Sequence, residues 1–136
     1  MADTSPYVAE TSPHKMWYTH ALLDYGDHGL GHARQDPSRV GVIEVTDQIR
    51  WVPQQGEGWS FPLSVVTIVT PKAILGLMFN GLELELPNIG SLRVRAMNFA
   101  PNVPLAPTDR ATGDASATGK LRRKLIKRGA RVDVPR

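Results

Sequence analysis

The side chains that could do chemistry fall into two groups, one towards each end of the chain. In the first, His20, Asp24, Asp27, His28 and His32 lie within thirteen positions, and imidazole with carboxylate suits zinc, nickel or iron. A ligand pair four apart, as His28 and His32 are spaced, normally needs a continuous helix. Gly29-Leu30-Gly31 between them would break it. The segment therefore reads as a polar loop with no metal centre, and a small metal-dependent enzyme built on this cluster is kept as an alternative.

The second group is a basic run. Lys120, Arg122, Arg123, Lys124, Lys127, Arg128 and Arg131 put seven cations into twelve residues. Such a run can neutralise phosphates on nucleic acid or sit on anionic lipid, where each Lys or Arg near the surface is worth about 1 kcal/mol. It holds no aromatic residue for base stacking and no Trp or Phe for interfacial insertion. The bland alternative is a solvated tail, or one that folds back onto a negative body. A further candidate contact is Trp59, between Gly58 and Ser60, as an exposed partner anchor; Trp51 is expected in the core.

Nothing else suggests catalysis. A nucleophile needs a base held against it by a third group. Ser60, Ser64 and Ser91 have no elbow motif around them, the chain has no cysteine, and no histidine follows His32. Glu83 and Glu85 alternate with leucines, as a solvated strand face would. No phosphate-binding or dinucleotide loop is present. No catalytic residue and no cofactor is expected.

The elements that must carry these groups are mostly strands. A chain of 136 residues, 41% apolar, is enough for one core. Its 11 prolines and 12 glycines fall largely outside the apolar runs, which favours short strands and turns. The absence of cysteine fits a reducing, cytoplasmic setting. Asp3 stands where a signal peptide would carry basic residues. The apolar-leaning stretch 61–79 is interrupted by Pro62, Ser64, Thr67, Thr70, Pro71 and Lys72, so no membrane-spanning helix is expected.

Charge divides the chain. Residues 1–119 hold 8 basic and 12 acidic side chains, a balance of −4, whereas residues 120–136 hold 8 basic against Asp133 alone, or +7. The pI of about 9.5 belongs to the tail.

Residues 1–15, rich in Ser, Thr, Pro and acids, read as a disordered tail. Residues 16–98 read as a β-domain of about six or seven antiparallel strands. Residues 16–24 are taken as its first strand, with a short helix as the alternative. Residues 40–45 and 48–53 make a tight hairpin, 61–69 a well-buried strand, and 72–79 and 82–86 a second hairpin through Asn80-Gly81, the strongest short turn signal. Leu92, Val94 and Ala96 alternate with Arg93, Arg95 and Met97 in the last strand. Residues 99–117, with three prolines and Thr/Ala/Gly-rich sequence, read as a mobile linker. Residues 118–136 form the basic segment, where Ser116 or Thr118 could cap a short helix running to about Arg128, with Gly129 just past its end and Leu121 and Leu125 on one face. A chain ending at Pro107 is then expected to keep its fold.

The stretch GVIEVTDQIRWVPQQGEGWSFPLSVVTIV resembles the pleckstrin-homology-like superfold, especially its GRAM and bacterial PH-like branches. The similar features are the strand end at Gly41 to Asp47, the apolar-Arg-Trp strand at Ile49 to Trp51, and the Phe-Pro-Leu opening of a β-branched strand at Phe61. The resemblance covers about half the chain. It implies an all-β fold, a small two-sheet barrel or sandwich closed by a C-terminal helix, that recognises lipid headgroups, peptides or proteins. The loop where relatives of this kind hold phosphoinositides carries Asp24, Asp27 and Asp36 against Arg34 and Arg39, which argues against a lipid headgroup there. The expected function is a non-enzymatic, cytoplasmic module that binds a protein or peptide, its basic tail touching an anionic surface. A nucleic-acid-associated protein driven by the tail is the alternative.

Overall fold

The computed structural model describes residues 14–26, 33, 35–69, 82–97 and 107–133. Among these residues eight strands form one open sheet: β1 (Trp17–Asp24), β2 (Val40–Val45), β3 (Gln48–Pro53), β4 (Trp59–Pro62), β5 (Thr67–Val69), β6 (Leu82–Leu86), β7 (Gly90–Met97) and β8 (Arg131–Asp133). One helix, α1 (Pro107–Lys127), lies between β7 and β8. The strand order is β4-β3-β2-β1-β7-β6-β5-β8. Every pairing is antiparallel except that of β5 with β8. The fold is all-β with a single described long helix.

Residues 16–24 are strand, and central to the sheet. β1 pairs with β2 on one edge, Trp17 opposite Val45, and with β7 on the other, Ala21 opposite Ala96. Period-2 alternation sets which side chains are covered. Ala21, Leu23, Ile43, Val45, Ile49, Trp51, Leu82, Leu84, Leu86, Leu92, Val94 and Ala96 all join one core. On the opposite face Leu22 makes a smaller cluster with Ala33, Val40 and Met97.

The sheet must curl. β4 and β5 are six strand intervals apart, about 29 Å in a flat sheet at roughly 4.8 Å per strand. The chain from Pro62 to Thr67 can reach at most about 17 Å. A single 3-10 turn, Leu63–Val65, makes the connection. Leu63 donates its N–H to Asp47 O, Arg131 donates its N–H to Val66 O, and both Leu63 and Val66 are buried.

Three expectations need correction. The run 61–69 is not one strand: it is divided between β4, the 3-10 turn and β5, the turn following directly on Pro62, which has no N–H to give to a ladder. The partner of β6 is β5, in the register Thr67 opposite Glu85; residues 72–79 and the turn Asn80-Gly81 lie outside the described residues. The helix starts at Pro107, within what was expected to be linker up to residue 117.

The helix is also part of the core. Ala117, Leu121 and Leu125 are buried in the main cluster. A chain ending at Pro107 would uncover that cluster, so the expectation that it keeps its fold is withdrawn. Of the expected N-terminal tail, His14 is described, and its Nδ1 hydrogen-bonds Asp47 Oδ1.

Candidate functional site

The basic segment is held at both ends. At its start Thr118, expected as a helix cap, sits within α1 and faces β7: its Oγ1 accepts the Ala96 N–H at 3.1 Å. At its end Gly129, with φ +124°, closes the helix. Ala130 N–H reaches Leu125 O and Gly129 N–H reaches Ile126 O, the paired bonds of a Schellman motif in which glycine tolerates the left-handed backbone. The chain then enters β8 against β5. The run that the sequence left free to move is docked from Ala117 to Asp133.

Docking sorts the cations. Leu121 and Leu125 are fully buried, so the opposite side of the helix faces solvent. Lys120, Arg123 and Lys127, three and four residues apart, are exposed on that side. Arg122 and Lys124 are half-buried on its flanks, and Arg131 is exposed in β8. Arg128 is drawn into the structure: its Nη1 donates to Val45 O at 2.7 Å, tying the helix end to β2. Among the described residues none of Lys120, Arg122, Arg123, Lys124, Lys127 and Arg131 pairs with a carboxylate. The helix docks through its leucines, and its charge stays available. Lys124 and Lys127 in the last turn also complement the helix dipole.

Beside the helix lies a groove of about 240 Å³. It opens where β7 ends at Met97, opposite His20, while β1 continues back to Trp17. Met97 and Ala117 give it apolar walls, and Trp17, Tyr18, His20 and Lys120 line the rest. Tyr18 is 57% exposed, with its ring edge-on to the His20 imidazole at 6.2 Å. The buried Thr19 hydroxyl is committed to backbone, 3.2 Å from Met97 O and 3.2 Å from His20 O.

The other sequence candidates separate. His20 and Asp24 both lie on β1, four residues apart, or about 13 Å along a strand; one ion cannot take both. Asp24 is buried and its Oδ1 accepts the Gly26 N–H at 3.0 Å. Asp27, His28 and His32 lie outside the described residues, and among those described no group of three or more potential ligands could hold a metal. Trp59 is half-buried rather than an exposed anchor. It opens β4 opposite Trp51, packs against Phe61 with ring centroids 5.6 Å apart and planes inclined at 45°, and donates its indole N–H to Tyr25 Oη at 3.0 Å. Arg39 lies over the Tyr25 ring at 4.5 Å, so Trp59 belongs to a structural network. Glu83 and Glu85 lie on the solvent side of β6, Ser64 is exposed in the 3-10 turn and Ser91 is exposed in β7.

Tyr18 was not among the sequence candidates, and nothing in the sequence joins it to Lys120. Only the β1–β7 pairing and the docking of α1 on β7 bring them to one groove.

No protein-family model, curated protein or solved structure matches the chain. No helix among the described residues is long and apolar enough to cross a membrane.

Proposed function

We propose that this chain is a non-enzymatic, cytoplasmic binding module of the PH-like kind that recognises a protein or peptide, its cationic helix meeting an anionic surface on that partner. The observation that carries this reading is the division of labour on α1. Its inner side is committed to the core through Leu121 and Leu125, while Lys120, Arg123 and Lys127 point outward and pair with no described carboxylate. A tail folded back onto a negative body would have spent those charges on ion pairs.

The strand order supports the scaffold. β1 to β4 and β5 to β7 each run as an antiparallel meander, the two groups join through β1 and β7, and the helix follows β7. A curled sheet of this order, with α1 packed inside its curve, is what the two-sheet barrel implied by the resemblance calls for. The acidic first loop and the lack of an inserting aromatic on α1 favour a protein surface over a lipid one.

The test is affinity capture from the native host with the full chain and with the K120Q/R123Q/K127Q variant, at low and at moderate salt, with and without nuclease. Loss of a defined protein partner in the variant, insensitive to nuclease, supports the reading. Identical capture by both chains removes the helix from the account, and loss of all capture on nuclease treatment replaces a protein partner with nucleic acid.

A further inference from the structure

Among the described residues β8 is the last strand in the sheet order, paired with β5 along one edge only. The Arg131 N–H goes to Val66 O, and along a strand successive backbone groups alternate in direction. Val132 therefore turns its N–H and C=O away from the sheet. Arg131, Val132 and Asp133 are all exposed, and neither charged side chain has a partner among the described residues.

A strand edge of this kind is a template for another chain, and proteins that keep it solitary commonly set lysines or prolines along it. β8 instead carries Arg131 and Asp133, opposite in sign, on either side of Val132. That spacing is self-complementary. Where two copies of β8 run antiparallel and centred on Val132, the residue before the centre stands opposite the residue after it. Arg131 of each copy then faces Asp133 of the other, so a two-fold axis gives the ion pair twice.

We infer that two copies of this chain associate through β8, edge to edge and antiparallel about a two-fold axis at Val132, joining their sheets into one. The two Val132 residues exchange N–H and C=O as a hydrogen-bonded pair of the new ladder. Arg131 and Asp133 fall at its non-hydrogen-bonded positions, where Cα atoms approach to about 4.5 Å and side chains are closest. Register with β5 puts both charges on the sheet face of Thr67 and Val69, and Val132 on the face of the buried Ile68. Three residues a side make a small seam, whereas stable interfaces bury about 1,200–2,000 Å² in all. Val65 and Ile126 can widen it: both are exposed, on the turn and the helix end that adjoin β8. The cations of α1 repel their copies, so the association is weak and reversible, and screening by salt at physiological strength favours it. It does not depend on the partner recognition proposed above.

The experiment is sedimentation equilibrium of the full chain, from micromolar to millimolar concentration at physiological ionic strength. The expected result is a monomer–dimer equilibrium that stops at the dimer. Arg131→Asp and Asp133→Arg each set like charges against one another across the seam, and each should weaken self-association about tenfold. These two variants change net charge in opposite directions, so a general charge effect would move them oppositely. A chain carrying both substitutions restores opposite pairs and should dimerise as the unchanged chain does. An equimolar mixture of the two single variants should form a mixed dimer, one copy supplying two acids and the other two arginines. Both positions are exposed, so the circular-dichroism spectrum should be that of the unchanged chain. A chain that stays monomeric throughout, growth past the dimer, dimerisation unaltered by either reversal, or single variants that fail to associate when mixed would each overturn the inference.

Discussion

The hydroxyl of Thr118 accepts the backbone N–H of Ala96 at 3.1 Å, and the same oxygen lies 3.5 Å from Ala96 O. β6 begins at Leu82, opposite Val94. Two residues further along β7, the Ala96 N–H takes its partner from a helix side chain. Ala96 is fully buried, and a buried backbone group without a partner costs about 1–3 kcal/mol. Thr118→Val keeps the shape and removes the oxygen, so it should destabilise the chain by about that amount in urea unfolding. Thr118→Ser should recover most of it.

Leu121→Ala and Leu125→Ala should each cost about 2–5 kcal/mol, the range for emptying a packed leucine site. The measurement is the denaturation midpoint. Were α1 a loosely attached tail, neither substitution would move it. Substituting the exposed Lys120, Arg123 and Lys127 with glutamine should leave the midpoint almost unchanged.

Arg128 is expected to part company with its neighbours. Arg128→Gln removes the donor to Val45 O and should lower stability by about 1 kcal/mol, while altering polyanion binding less than Arg123→Gln does. Paired unfolding and binding measurements on the two variants check this.

A Cβ at Gly58 would stand 1.9 Å from Trp51 O, and one at Gly41 would stand 2.1 Å from Val52 O. Both clashes are with backbone, which cannot rotate away. Gly58→Ala should force β4 off β3 and cost about 1–3 kcal/mol, with loss of the near-ultraviolet signal of the Trp51 and Trp59 pair. Gly56→Ala, which meets only a Ser38 side-chain atom at 3.9 Å, tests backbone strain alone through its φ of +94°.

What was legible in the sequence followed from alternation. Leu82, Leu84 and Leu86 with Glu83 and Glu85, and Leu92, Val94 and Ala96 with Arg93 and Arg95, state their faces outright, and both strands are where the pattern puts them. Residues 61–69 carry no such contrast, and Pro62, just before the 3-10 turn, is the mark of the break there. The N-terminal half of α1 was missed because Thr108, Thr112 and Gly113 are weak helix formers. Its C-terminal half was read as helix but not as core, since two leucines among seven cations look like a solvated face until a sheet is found to receive them. The groove joins β1 to α1, and local pattern is silent on contacts of that range.

β1 gains its second neighbour only when β7 exists, and β7 lies more than 60 residues downstream. During synthesis the hairpin of β2 and β3 can form early and receive β1, but the other edge of β1 must wait until Met97 has left the ribosome, and the leucines that roof the core come later still. Non-local pairing of this kind folds slowly, and an unpaired strand edge is prone to aggregation in the interval. The nascent chain should therefore depend on chaperone protection until its last third is free.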